Sequence, residues 1–266
     1  MDTLLEESYI RVKPCRYGAM LYFKGDSYVG RSLDLYGEFS EGEAQMFAQI
    51  LRPGMTVLDI GANIGCHTVF MAKKVGPDGR VHAFEPQRIV HQALTANLAL
   101  NAIENTTAHH CGAGQKKGTI TVPQVNYAAG GNFGGLALGG FETGEQVTLR
   151  SIDSLKLATC QFIKIDVEGM ETEAIKGAKA TLKKFKPYLY VENDRRERSA
   201  ELIETLFSAD YRLYWHLTRL FNPNNFYTNT ENVFGNLISR NMLCVPKSKN
   251  TEIREMTEIT SADIRF

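Results

Sequence analysis

The 266-residue sequence has no excess of either charge, because 30 lysines and arginines balance 30 aspartates and glutamates. A chain without net positive charge produces no strong field towards the phosphates of nucleic acids or an anionic membrane surface. We therefore expect no nucleic-acid partner and no membrane partner.

Cysteine is scarce, and the five cysteines lack both the C-x-x-C spacing of a zinc site and the even number typical of a disulfide framework. The first residues, MDTLLEESYIRVK, are acidic where a signal peptide is positively charged. No apolar run approaches the roughly 18 residues of a membrane-spanning helix. These absences predict a soluble protein of the reducing cytoplasm.

Short apolar runs alternate with longer segments of helical periodicity, which is typical of βαβ units around a mostly parallel sheet. Residues 67–75 and 89–101 are predicted to be crossover helices between strands. The predicted strands are 56–60, 80–84, 106–111, 162–166, 188–192, 211–217 and 241–246, the late ones including an antiparallel strand. This pattern predicts one large α/β domain.

The boundaries of that domain follow from local signals. Ser40 and Glu43 have the spacing of a capping box, so a helix should run from residue 41 to residue 51. We expect a short-stranded lead-in at 1–39, the domain at 40–246 and a polar, frayed tail at 247–266. Residues 128–140 contain six glycines, which predicts a mobile loop able to close over a site.

A ligand site is expected where the first strand ends in Asp59 and turns through 61–65, GANIG. Dinucleotide-binding loops carry a middle glycine that admits a pyrophosphate, but Asn63 stands there, so the spacing suits a ligand without phosphates. Glu85, at the end of the second strand, is placed to accept hydrogen bonds from ribose hydroxyls. Asp59 can interact with a cationic ammonium group of the ligand, directly or through water.

Four blocks in this order resemble the FkbM family of class I S-adenosylmethionine (SAM)-dependent methyltransferases. The resemblance extends from about residue 36 to residue 246. The blocks are 57–65; Phe84, Glu85 and Pro86 with Asn97 and Asn101; 151–155; and 163–171 with Gly177, Ala178 and Pro187.

The resemblance implies a Rossmann-like, doubly wound, mostly parallel seven-stranded sheet with an antiparallel last strand. It also implies SAM as methyl donor, S-adenosylhomocysteine (SAH) as product, and a hydroxyl of a sugar or secondary metabolite as acceptor. The implied cofactor-binding residues are Asp59, Gly61, Ala62, Asn63, Gly65, Glu85, Pro86, Gln115 and Asp166. Gln115 departs from the acidic residue common in the family.

Three other functions stay open at this point. The acceptor can be an amide or amine nitrogen of a peptide or natural-product precursor. A NAD(P)-dependent oxidoreductase would use the same acid at Glu85, and a SAM-binding protein need not catalyse anything.

Methyl transfer to a neutral hydroxyl needs a group that takes its proton. Asp166 and Glu168 follow the fourth strand and are expected to face the cofactor, and His216 lies in a late strand; these three are the catalytic candidates. Oxygen ligands at Asp166, Glu192 and Asn193 offer an alternative magnesium site, although no metal is required. A purely structural role remains open for Glu168 as a helix cap.

Overall fold

The N-terminal segment forms a layer of its own in a computed structural model that describes residues 2–137 and 140–263. Strands β1 (Leu5–Glu6), β2 (Ile10–Cys15) and β3 (Gly18–Phe23) make a small antiparallel sheet, followed by helix α1 (Val29–Tyr36). The lead-in predicted from the sequence is therefore a folded cap beside the main domain.

The main domain alternates strands with helices as the periodicity predicts. Its first half contains α2 (Glu41–Ile50), β4 (Thr56–Ile60), α3 (Cys66–Val75), β5 (Arg80–Phe84), α4 (Arg88–Leu100) and β6 (Thr106–His109). A second small sheet follows, made of β7 (Gly112–Ala113), β8 (Gly118–Val122) and β9 (Glu145–Arg150), before a single 3-10 turn at Ile152–Leu155.

The second half returns to the main sheet. It contains β10 (Phe162–Ile165), α5 (Glu171–Lys176), α6 (Lys179–Phe185), β11 (Tyr188–Glu192), α7 (Arg196–Ser208), β12 (Tyr211–Arg219), β13 (Ile238–Pro246) and β14 (Glu258–Ile259). The order across the sheet is β14-β12-β13-β11-β10-β4-β5-β6. Strands β4, β5, β6, β10 and β11 are parallel to their neighbours in this group, whereas β13 is antiparallel to β11 and β12.

The predicted mostly parallel sheet with a late antiparallel strand is confirmed. Strand β4 lies at the centre, where the chain order reverses between β5 on one side and β10 on the other. In open parallel sheets, ligands bind beyond the carboxyl ends of the strands at this reversal point.

Both faces of the sheet are covered by helices, so its central strands are buried on both sides. Leu58, Ile60 and Ile165 pack on one face with residues of α5 and α7, while Val57 and Phe162 pack on the other with α2 and α3. The continuous apolar runs of these strands therefore form two cores that hold the strand ends rigid.

The helix at Glu41 begins where expected, but the predicted capping box is wrong. Ser40 has a left-handed backbone (φ 48°) and makes no cap to the helix backbone. Its hydroxyl donates instead to the Glu43 side chain, at 2.8 Å. Ser40 and Glu43 are therefore part of a buried side-chain hydrogen-bond network that also includes Ser239 and Asn241.

The C-terminal segment is not frayed throughout, contrary to the prediction for 247–266. Glu258 and Ile259 add an eighth strand that pairs with β12, and Ile259 is buried.

Among the described residues, no helix has the length and apolar character needed to cross a lipid bilayer.

Candidate active site

A cavity of about 390 Å³, here called the main cavity, opens beyond the carboxyl ends of β4, β10 and β11. A smaller side cavity of about 40 Å³ adjoins it beyond β5. The residues that line both are Gly61, Glu85, Gly134, Asp166 and Glu168. The strands thus bring the predicted loop, the predicted acid and the strand-end carboxylates into one continuous space.

The loop after β4 requires glycine for a reason that lies within the protein. Gly61 has φ 81°, and a Cβ there would lie 1.7 Å from the backbone oxygen of Asp166. Gly65, with φ 90°, precedes the first residue of α3. Asn63 is also left-handed, and its Oδ1 accepts a hydrogen bond from the Ile64 N–H at 2.6 Å. Gly61, Ala62 and Asn63 line the main cavity.

Glu85 lies at the junction of the two cavities and is held by the backbone. Its two oxygens accept hydrogen bonds from the Asn63 N–H at 3.0 Å and the Gln87 N–H at 2.8 Å. Burial raises the pKa of this carboxyl to about 7, although the two N–H groups oppose the shift. Each carboxylate oxygen has a further lone pair, so the ionised group can also accept from a diol.

Asp59 does not line either cavity, because its side chain is fully buried below the loop. Its Oδ2 accepts from the Thr68 hydroxyl at 2.6 Å, and its Oδ1 lies 3.3 Å from Lys164 Nζ. The direct ammonium contact suggested by the sequence is therefore not supported by this placement. Asp59 holds the loop from beneath instead.

No role was predicted for Lys164 from the sequence, yet its side chain contacts both the Gly61 loop and Asp166. Its Nζ donates to the backbone oxygen of Gly61 at 3.1 Å and lies 3.2 Å from Asp166 Oδ2. The side chain is buried, and the neighbouring carboxylates raise its pKa despite the burial. A charged residue in the middle of a buried strand was the available signal.

The side cavity has an apolar lining suited to a flat heterocycle, which includes Phe84, Ala113, Ile120, Leu149, Val167 and Met170. Pro86 belongs to this lining, as predicted. Gln115 does not, since it is exposed and lies beyond β7. Its proposed hydrogen bond near the adenine has no support in this arrangement.

The glycine-rich segment, residues 128–137, is docked against the site and is not a free loop. Gln87 Nε2 donates to the Phe133 carbonyl at 2.8 Å, and Gly131 exchanges backbone hydrogen bonds with the Gly25–Ser27 turn. Gly134 packs on Asn63, and a Cβ there would meet Asn63 Nδ2 at 2.3 Å. The glycines allow close contact over the cofactor end of the cavity, and Leu138 and Gly139 lie outside the described residues.

Three carboxylates, Asp166, Glu168 and Glu192, form what we call the carboxylate cluster. One oxygen of each lies within 4.8 Å of the others, and all three line the main cavity. Glu168 is paired with Arg195 and has a left-handed backbone (φ 56°). Burial and then the charge of Asp166 raise the pKa of Glu168 to about 8.

The cluster differs from two sequence expectations. Asn193, proposed as a metal ligand with Asp166 and Glu192, does not line the cavity, and its Nδ2 contacts the sulfur of Met242. Glu168 does not cap α5, because the N-cap position is Met170 and no side chain accepts a hydrogen bond there.

Of the two histidines near the site, His216 was predicted to be catalytic from the sequence and His67 was assigned no role. His216 does not line either cavity, and its Nδ1 is 2.7 Å from the Tyr190 hydroxyl. His67, overlooked in the sequence, lines the main cavity and is 6% exposed. Its Nε2 has no hydrogen-bond partner among the described residues, and burial lowers its pKa. Its position just after the glycine loop was the available signal.

Comparison with known proteins decides the family. A family model described as the methyltransferase FkbM domain matches residues 59–213, more than half of the chain. The chain belongs to the FkbM family of SAM-dependent methyltransferases. Among curated proteins, methyltransferase sdnD of Sordaria araneosa is 38% identical over 65 residues, which are 24% of this chain and 25% of that protein.

Solved structures share the fold of this FkbM-family methyltransferase. The match to methyltransferase FkbM from Methylobacillus flagellatus KT covers 76% of this chain and 50% of that protein, with 23% sequence identity and a TM-score of 0.50. The match to precorrin-6y C5,15-methyltransferase from Geobacter metallireducens covers 77% of this chain and 86% of that protein, with 14% sequence identity and a TM-score of 0.52. The match to the SAM-dependent O-methyltransferase from Thermotoga maritima covers 91% of this chain and 79% of that protein, with 12% sequence identity and a TM-score of 0.50.

The donor set of the FkbM-family site fits SAM. Gly61, Ala62 and Asn63 border the main cavity, Glu85 can accept a diol, and the side cavity next to Glu85 has an apolar lining of the kind that contacts an adenine ring. The carboxylates of the cluster favour a cation in the main cavity, and SAM carries a sulfonium. The residues present are therefore compatible with SAM, and the loop and Glu85 are the groups that would hold it.

Proposed function

We propose that this FkbM-family methyltransferase transfers the SAM methyl group to a hydroxyl oxygen of a small molecule, such as a sugar or secondary metabolite. The observation that carries the proposal is that the carboxylate cluster faces the same cavity as the Gly61–Asn63 loop and Glu85. Transfer to oxygen needs a proton acceptor beside the methyl donor, and these carboxyls supply candidates.

The chain's own residues do three things in this proposal. The loop and Glu85 orient the donor, and the glycine-rich segment restricts the entry of water at the cofactor end. Positioning donor and acceptor together is worth up to about 7–11 kcal/mol, so little covalent chemistry is left to the protein. His216 is not included, because it lies outside the cavity.

The acceptor end combines apolar walls with an excess of acid. Phe39, Leu220 and Ile238 line it, and the lining of the main cavity as a whole has six carboxyls against Lys164 and Arg195. This excess also suits an acceptor that carries a basic nitrogen, so N-methylation of an amine is the second candidate function.

The test is transfer from SAM labelled with ¹³C in its methyl group to a panel of hydroxylated sugars, phenols and amines. We expect ¹³C NMR of the product to show a methyl ether; an N-methyl product selects the second candidate. Calorimetric titrations with SAM, SAH, NAD and NADP accompany it. Binding of NAD or NADP in place of SAM and SAH contradicts both candidates, and SAM binding without turnover across the panel favours a non-catalytic SAM-binding protein.

A further inference from the structure

The group that takes the acceptor's proton must have an oxygen or nitrogen free to contact it. Asp166 is engaged by Lys164 Nζ at 3.2 Å, and Glu168 is engaged by Arg195. His216 is bonded to Tyr190 and lies outside the cavity. Each of the three catalytic candidates from the sequence therefore already has a polar partner in the folded protein.

Glu192 differs from all three. It is the last residue of β11 and lines the main cavity, but its Oε2 accepts no hydrogen bond from any described residue. That oxygen is also buried, and a buried polar atom left without a partner costs about 1–3 kcal/mol, so a fold retains it where a ligand completes it.

The position of Glu192 also separates it from the other two carboxylates. Asp166 and Glu168 line both cavities and so mark the boundary with the cofactor. Glu192 lines the main cavity alone, yet one of its oxygens stays within 4.8 Å of theirs. It therefore stands on the acceptor side of the point where methyl transfer would occur.

We propose that the Glu192 carboxylate is the catalytic base of this enzyme, an inference that rests on the proposed function. The acceptor hydroxyl donates its hydrogen bond to Glu192 while its oxygen attacks the methyl carbon. The new O–CH₃ bond forms as the S–CH₃ bond breaks, and the sulfonium leaves as the neutral thioether of SAH. The hydroxyl proton passes to Glu192, which completes the balance of atoms and charge.

The surroundings of Glu192 couple this base to the methyl donor. Burial and the charges of Asp166 and Glu168 raise the pKa of the Glu192 carboxyl well above its ordinary value. A sulfonium entering beside it favours the ionised form. Binding of the donor thus increases the ionised fraction of Glu192, which is the form that acts as a base.

The test needs no acceptor. Sinefungin is a SAM analogue with an amine-bearing carbon in place of the methylsulfonium, so its ammonium occupies the direction of the transferred methyl. We expect the wild type to bind sinefungin more tightly than SAH, and Glu192→Gln to reduce this preference by about tenfold or more with SAH affinity within about threefold of wild type. Both affinities come from calorimetry.

Asp166→Asn and His67→Gln are the comparison variants, since each removes a different polar group of the same cavity. A preference that survives Glu192→Gln but is lost in either of them overturns the proposal. So does a preference unchanged in all three variants. Failure of the wild type to bind SAH or sinefungin contradicts the proposed function instead.

A second measurement uses any acceptor that the labelled transfer identifies. Glu192→Gln is expected to lower kcat at least about 100-fold with SAM affinity retained, as for loss of a general base. The loss should be much smaller for an acidic phenol than for an alcohol, because the phenol needs less help to release its proton. An equal loss on both contradicts the assigned role.

Discussion

At the cofactor end of the main cavity the polar groups are held by backbone, whereas at the acceptor end two of them have no partner. Glu85 accepts two backbone N–H groups, and the Gly61 loop is fixed by its carbonyl bond to Lys164. Glu192 Oε2 and His67 Nε2 are buried and receive no hydrogen bond within the described part of the chain. Glu85 therefore has its polar partners within the folded protein, whereas Glu192 and His67 do not have theirs among the described residues.

The difference shows where each end obtains its precision. The cofactor end uses backbone atoms of adjacent strand ends, so its geometry is set by the fold itself. The acceptor end uses side chains from α2, α3, β10, β11 and β13, and keeps unsatisfied polarity that a substrate can satisfy. Substitutions at defined residues test this difference between the two ends of the cavity, and they are given in order of decreasing effect.

Lys164→Met should cause the largest loss of stability, because it leaves the buried carboxylates of Asp59 and Asp166 without their cation. We expect about 3–5 kcal/mol lower free energy of unfolding in urea. The control is Lys176→Met, which removes an exposed ion pair with Glu201 and should leave the stability close to that of the wild type. Equal effects of the two substitutions would mean that Lys164 does not join the two ends.

Gly61→Ala should abolish donor binding while the sheet still folds. Its Cβ would lie 1.7 Å from the Asp166 carbonyl, so the loop must move, and we expect SAH affinity to fall about 100-fold or more. Gly54→Ala is matched, with φ 82° and no atom within 4 Å of the new Cβ. That control should lose about 1–2 kcal/mol of stability and keep its SAH affinity. Calorimetry and thermal unfolding measure both quantities.

The affinity for SAH should depend on pH through Glu85. Its pKa is raised to about 7, and ribose hydroxyls donate to the ionised form, so protonation below that value opposes binding. Affinity should therefore rise about tenfold from pH 6 to pH 8, in the direction of ionisation. In Glu85→Gln we expect weaker binding with this rise removed. A rise of the same size in the variant would assign the titration to another group.

Gln87→Met should have the smallest effect, because it removes one hydrogen bond that docks the glycine-rich segment at Phe133. We expect SAH affinity to fall about fivefold, in line with about 1 kcal/mol for such a bond. Proteolysis within 128–137 should also become faster. Gln146→Met, which loses an exposed bond to Thr121, is the control and should change neither. Unchanged proteolysis in Gln87→Met would show that the segment is held by other contacts.

Local sequence signals located the cofactor end closely because its determinants are short-range. The strand bounds at β4 and β5 and the placement of Gly61 and Glu85 follow from apolar runs, glycine spacing and an acid at a strand end. Asp59 was misplaced because its position near a strand end does not say whether its side chain faces the cavity or the core. Gln115 was misplaced because it lies beyond β7 with its side chain exposed. The glycine-rich segment was recognised, but its docking depends on Gln87, far away in sequence.

The fold class and the family could be predicted from the sequence, as could the position of the loop that we propose for the methyl donor, since each depends on contiguous blocks with strong local preferences. Only the tertiary structure decided which acids are already paired, that Lys164 bridges Asp59 and Asp166, and that His216 lies outside the cavity while His67 lies inside it. Pairing and burial depend on contacts between distant segments. The order of residues along the chain does not give these contacts, and the base proposed at Glu192 follows from them together with its place in the cavity.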